Sequence, residues 1–324
     1  NILHMTYRII FSLVLIFAII VSCKKDYLKY TKKPEYITAP SQENKPYFNA
    51  YDATLKIWKV PYEELYIPTT YGTAHVVVSG PESGEPLVLL HGMNASSTMW
   101  YPNIEVLSQD YRVFAIDFIL EPGKSYKTKD IENIAQIAAW YQEVLNKLQL
   151  ESYHIIGASR GGWLAVNLAL NHPERIKSMT LLSPAQTFIW IRPSADLLKN
   201  IIYALSSKEK QIEQNLKSMS SNVDNINKTY LKQYYIGVEK DSINKFVMDM
   251  QPFSKRDFES LKMPVLVLIG DDDMINNEKT LLMTRKLIPN GQAEKIKNAG
   301  HFLSVDQPEV VNKKILEFLN SVKN

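Results

Sequence analysis

The sequence predicts an α/β protein, a mostly parallel central sheet flanked by helices on both faces, with a helical cap inserted late in the chain. Three observations carry this reading. From residue 61 onward, short continuous apolar runs alternate with segments of helical periodicity. The run 86–90 is apolar at every position, as a strand buried on both faces should be, and the later runs repeat that mostly apolar pattern. One long stretch, 185–262, has no such run and reads as helical throughout. The chain has 324 residues, 45% hydrophobic and 22% charged, which excludes a disordered or fibrous polypeptide.

The elements follow in order. Arg8 precedes an apolar run, 9–21, of signal-peptide length and too short to span a bilayer comfortably. Translation is expected to start at Met5. The run ends in Ile20-Val21-Ser22-Cys23, which resembles a bacterial lipobox. That resemblance implies that residues 1–22 are a lipoprotein signal peptide and that Cys23 is diacylated through its sulfur. The competing reading is an uncleaved membrane signal with a chance cysteine. Residues 23–60 read as a polar, Lys- and Pro-bearing tether that ends in a docking helix. On that helix Phe48, Tyr51, Leu55 and Trp58 recur at helical spacing, a packing stripe. The expected location is the bacterial cell envelope, lipid-anchored at the periplasmic or outer-membrane face. Lys24 after the cysteine favours the outer membrane, by resemblance to the sorting of other Gram-negative lipoproteins.

The catalytic body, 61–324, opens with an antiparallel pair at 65–68 and 74–79. Parallel strands are expected at 86–90, 111–118, 153–156, 179–182 and 265–269, and helices at 101–108, 130–148, 160–171, 277–288 and 308–321. The last helix opens with Asp306-Gln307-Pro308-Glu309, read as a capping box with proline in the first turn. The strand-free stretch 185–262 is an inserted cap, with Phe188, Ile189, Trp190 and Ile191 as candidate pocket walls or cap core.

Charge and cysteine content narrow the chemistry. The 37 basic and 34 acidic residues are interspersed, with a net charge of +3, so there is no electrostatic footprint for nucleic acid. A single cysteine excludes an intramolecular disulfide framework and a multi-cysteine zinc or iron–sulfur site.

The chemistry-bearing motif is Gly157-Ala158-Ser159-Arg160-Gly161-Gly162, between an apolar strand and the apolar helix that begins at Trp163. This is G-x-S-x-G in a strand–turn–helix context. Such a turn holds the serine in strained geometry and needs small residues two positions to either side, where larger ones would strike the neighbouring strand and helix. The serine oxygen is thereby presented at a helix N-terminus, which favours developing negative charge.

With these residues the chain resembles the α/β-hydrolase superfamily, over residue 61 to the end. Three further parts arrive in the family's order. His91-Gly92-Met93 follows a strand, Gly270-Asp271-Asp272-Asp273 ends another, and Asn298-Ala299-Gly300-His301 follows the last. The resemblance implies a Ser159–Asp273–His301 triad, with Asp273 chosen because the family's acid falls three residues after the strand-ending glycine. It implies an oxyanion hole from the backbone N–H groups of Met93 and Arg160, and no metal or organic cofactor. The wording around 97–103, 183–185 and 304–309 is similar to a bacterial carboxylesterase-like branch, which implies a small-molecule ester substrate. The Arg160 side chain departs from the family pattern. Its alternatives are a surface ion pair or a reach into the pocket that favours acidic substrates. Asp117, after the fourth strand, is expected to be structural. Other reactions on the same fold (amide or C–C hydrolysis, perhydrolysis) stay open, as does a non-catalytic ligand-binding protein.

Overall fold

A computed structural model of the chain describes residues 27–191, 208–240 and 246–323. The expected signal peptide and Cys23 lie outside these residues. Nine strands form one sheet: β1 (Tyr62–Thr69), β2 (Gly72–Ser79), β3 (Glu85–Leu90), β4 (Tyr111–Ile116), β5 (Tyr126–Lys127), β6 (Tyr153–Ala158), β7 (Ile176–Leu182), β8 (Val265–Gly270) and β9 (Gly291–Ile296). Their order is β1-β2-β4-β3-β6-β7-β8-β9, with β5 paired to β2. Pairs involving β2 are antiparallel, and those from β4 through β9 are parallel.

The helices longer than one turn are α1 (Lys45–Leu55), α2 (Ile134–Lys147), α3 (Arg160–Asn171), α4 (Lys208–Met219), α5 (Lys228–Lys240), α6 (Lys255–Ser260), α7 (Glu278–Leu287) and α8 (Pro308–Lys323). The apolar runs have the expected consequence. Val88 and Leu90 of β3 join one core with α2 and α3, while Leu87 and Leu89 join a second core with α1 and α8. Alternate residues of one buried strand thus serve both faces.

Parallel register positions the site. Leu90 is level with Gly157, Ala158 with Leu182, and Leu182 with Leu268. The loops that leave β3, β6 and β8 therefore emerge side by side at one edge of the sheet.

Three features differ from the sequence reading, and a fourth decides between two alternatives it left open. First, β9 shows no apolar run, because it is an edge strand that buries only Ala293 and Ile296 deeply. Second, the stretch expected to be a flexible tether is held to the body from Tyr27 onward. Tyr27 donates to the Leu148 carbonyl at 3.2 Å. Tyr36 donates to the Lys124 carbonyl at 2.9 Å and stacks on Tyr126 at 4.7 Å. Tyrosines do this docking from within a lysine- and proline-rich composition. Third, Asp306 does not cap α8. It ends a separate turn, Leu303–Asp306, and its carboxylate takes the Ser220 hydroxyl and the N–H groups of Ser221 and Gly300. Fourth, of the two alternatives for 188–191, Phe188 and Ile189 take the second: both are buried, and Phe188 stacks on Phe258 of the cap at 4.5 Å. As expected, no strand lies between β7 and β8 among the described residues.

Candidate active site

Ser159 sits between β6 and α3 with φ 51° and ψ −117°. This backbone region costs a non-glycine residue on the order of 1–3 kcal/mol and persists only where the surroundings enforce it. Here Ser159 N–H donates to the Leu182 carbonyl at 2.9 Å, while its own carbonyl accepts from Gly162 and Ala185. The flanking glycines are sterically required. A Cβ on Gly157 would stand 2.2 Å from the Gly161 carbonyl oxygen, and one on Gly161 2.2 Å from that of Leu90.

Ser159 Oγ lies 2.9 Å from His301 Nε2, and His301 Nδ1 lies 3.0 Å from Asp273 Oδ1. Asp273 further accepts the Ile275 N–H and the Asn276 side-chain amide, each at 2.9 Å. Burial pushes the Asp273 carboxyl up, but the His301 ring and these hydrogen bonds outweigh it and hold it well below the usual range. An ionised Asp273 accepts only. The Nδ1–H of His301 therefore points to it, and Nε2 is left to accept the serine proton. Asp271 and Asp272 point elsewhere. Both are exposed, and Asp271 accepts the Ala299 N–H at 3.1 Å.

The loop after β3 packs directly on the serine, since a Cβ on Gly92 would lie 3.3 Å from Ser159 Cβ. His91 shapes that loop, as expected. Phe118 N–H donates to its Nε2 at 2.8 Å, so the ring proton is on Nδ1, which donates to the Gly92 carbonyl at 2.8 Å. Burial lowers the His91 pKa, in keeping with a neutral ring. Met93 follows on this loop, and Arg160 is the first residue of α3. Among the described residues, no hydrogen-bond acceptor takes the N–H of either.

The Arg160 side chain is not at the surface. It is 5% exposed, pairs with buried Glu121, and lies over the Phe118 ring at 4.9 Å. Sequence reasoning missed Glu121, because the pairing joins two loops that no local pattern relates. It also missed how the cap is fastened to the site. Gln233 of α5 bonds Ser96, Thr98 and Tyr47, and the Met219 carbonyl at the end of α4 accepts the N–H of Phe302, the residue after His301. Asp117 is structural, as expected, and accepts from Ser97 N–H, Lys124 N–H and Tyr51. Among the described residues no cluster suited to a metal ion occurs.

Comparison with known proteins places these features in context. Residues 85–308 match the model of a family described as the alpha/beta hydrolase fold. Carboxylesterase YbfK of Bacillus subtilis is 34% identical over 280 residues, covering 84% of this chain and 93% of that protein. A second Bacillus subtilis protein, the uncharacterized carboxylesterase nap, is 37% identical over 282 residues, covering 85% and 92%. The crystal structure of naproxen esterase (carboxylesterase NP) from Bacillus subtilis superposes with a TM-score of 0.79 at 35% identity, over 86% of this chain and 99% of that one.

Proposed function

The chain belongs to the alpha/beta hydrolase family, and from that premise we propose that it is a carboxylesterase acting on small-molecule esters through a Ser159–His301–Asp273 triad. The observation that carries this reading is the unbroken hydrogen-bond chain from Asp273 through His301 to Ser159 Oγ. The similarity to carboxylesterases along most of the chain supports the ester bond as the target.

In the proposed cycle His301 takes the Ser159 proton as Oγ attacks the acyl carbon. Asp273 keeps the ring in the required tautomer and stabilises the imidazolium that forms. The N–H groups of Met93 and Arg160 receive the developing oxyanion, aided by the N-terminus of α3. His301 then protonates the leaving alcohol. Water, deprotonated by the same histidine, attacks the acyl-enzyme, and collapse of the second tetrahedral intermediate frees the acid and restores the serine. Every proton is returned, so the cycle needs no oxidant, metal or organic cofactor.

Amide hydrolysis, C–C hydrolysis and perhydrolysis would begin on the same nucleophile, and a panel of substrates separates them. A non-catalytic binding protein would leave the triad without use. Fluorophosphonate labelling tests the mechanism. Wild-type protein should be labelled at Ser159 and should hydrolyse p-nitrophenyl esters. Ser159→Ala should take no label and lose turnover on the order of 10⁴- to 10⁶-fold. A folded Ser159→Ala protein that keeps a tenth of the activity would sink the assignment.

We also infer a lipid anchor at Cys23, on the lipobox-like Ile20-Val21-Ser22-Cys23 and the apolar run before it. This would place the enzyme at the bacterial cell envelope.

A further inference from the structure

We propose that Glu121 is a positioning residue of the oxyanion hole, one carboxylate that locks together the two loops whose N–H groups receive the developing charge. The inference rests on the esterase reading above. The two N–H groups come from different elements, the loop after β3 and the start of α3, so their alignment needs a tie between them. Glu121 supplies one from a third place, the turn after β4, where its N–H donates to the Phe118 carbonyl at 3.0 Å. One carboxylate oxygen accepts the Asn94 N–H at 2.6 Å. The other receives the Arg160 guanidinium.

Each contact acts on the neighbouring N–H. Asn94 directly follows Met93 and has φ 58°, a left-handed conformation that asparagine tolerates better than most residues. Holding its N–H in place fixes the Met93–Asn94 peptide plane and so anchors the loop one peptide beyond the Met93 N–H. On the other side, the guanidinium is clamped between Glu121 and the Phe118 ring, and Nε and Nη2 are buried with no hydrogen-bond partner among the described residues. Glu121 is therefore the charged partner that keeps Arg160 turned inward, while the Arg160 backbone N–H stays at the start of α3. The Glu121 side chain is 1% exposed, so water does not substitute for either bond. A carboxylate is the group that fits. It accepts at both oxygens, whereas an amide would turn an NH₂ against one of two donors.

An alignment role has a specific kinetic signature. The oxyanion exists in the transition state and not in bound ester, so misalignment should lower kcat and leave KM nearly unchanged. The test is Glu121→Gln in the full chain, with rates normalised to active sites titrated with fluorophosphonate. The expected result is a kcat loss of about 100-fold with KM within about threefold, since removing an oxyanion donor costs on the order of 10²–10³. The Ki of a trifluoromethyl ketone, whose serine adduct carries the same oxyanion, should rise by a similar factor. A titrated Glu121→Gln enzyme with kcat and Ki within about threefold of wild type would overturn the proposal, whatever its melting temperature.

Removing one partner of a buried ion pair can prevent folding. The double variant Glu121→Gln/Arg160→Met removes the stranded charge as well. It should fold and stay at least about 30-fold impaired in kcat, because the tie is still absent; near-wild-type kcat would overturn the proposal. Failure of wild-type protein to react with fluorophosphonate or hydrolyse any ester would instead remove the esterase reading on which this rests, and that is read before any variant.

Discussion

Asp271, Asp272 and Asp273 are adjacent in sequence and unequal in space. Asp273 is turned to His301 and held by Ile275 N–H and Asn276, while the other two face solvent. Asp273→Asn should therefore lose about 10⁴-fold in kcat, because an amide no longer enforces the tautomer that leaves Nε2 free to accept. Asp271→Asn and Asp272→Asn should stay close to wild type. Ester hydrolysis by the three variants checks this, and the reverse ranking would move the acid. At this scale the family resemblance points to Ser159, Asp273 and His301, with Asp273 taken from the family's spacing after Gly270, and these three side chains lie in one hydrogen-bonded row. Sequence reasoning stops at Glu121. A glutamate in a loop has no local signature, and its partners Asn94 and Arg160 become neighbours only when three loops meet.

Between elements, a buried polar cluster fastens the docking helix α1 to the sheet. His75 of β2 faces Asp117 through Nδ1 at 2.8 Å and Glu64 of β1 through Nε2 at 3.1 Å. Tyr51 of α1 donates to Asp117, and Lys124 pairs with Glu64 and with Asp52 of α1. Burial lowers the His75 pKa, but the two carboxylates more than reverse this and raise it; Asp117 and Glu64 are held well below the usual range. The signs then separate by pH. A raised histidine stabilises the fold fully below its unfolded pKa of about 6.5, and that stability is lost as pH climbs through the folded value. The depressed carboxylates contribute above about pH 4 and lose that contribution only as pH falls further. Lys124, also raised, contributes until strongly alkaline pH. Above about pH 6 and short of strongly alkaline pH, then, the His75 contribution is the one from this cluster that changes. Buried His91 and His154, whose pKa values are lowered, act in the opposite sense in both proteins, so the advantage of wild type over His75→Gln in denaturant midpoint should be largest near pH 6 and shrink as pH rises. Parallel slopes for the two proteins would refute the assignment. The sequence marks Asp117 as structural and Tyr51 as a packing residue, and it does not show that they meet around His75. Alternation marked His75 as a strand residue, and only the pairing of β1, β2 and β4 brings its partners around it.

For the whole molecule, the consequence of docking from Tyr27 is a short reach to the proposed anchor. Tyr27 stands four residues after Cys23, which spans ~14 Å when fully extended. A lipid at Cys23 would hold the body close to the membrane surface instead of at the end of a long tether. Tyr27 bonds Leu148, which leads into the N-terminal end of β6, whereas Ser159 leaves the C-terminal end of the same strand. The molecule would thus be fastened by the end opposite its nucleophile. Each buried CH₂ contributes about 0.8 kcal/mol, and two or more chains suffice for stable anchoring. Wild-type protein expressed with a clickable palmitate analogue should take label and sediment with membranes, and Cys23→Ser should do neither. Unlabelled wild type in the soluble fraction would refute the anchor and leave the esterase proposal standing.

The sequence by itself determined the layered α/β architecture, and its resemblance to a known family singled out Ser159, Asp273 and His301, three side chains that lie within hydrogen-bond distance of one another in the fold. These depend on local periodicity and on short motifs, which a linear chain displays directly. Tertiary structure decided the rest. The partner of Arg160, the holding of Asp306 by the α4 end instead of α8, the polar cluster around His75 and the docking of 27–44 all join residues far apart in the chain. Such contacts are chosen by geometry after the sheet has formed. A buried charge must find its counter-charge wherever the fold brings one within reach, and no spacing along the chain records which one that will be.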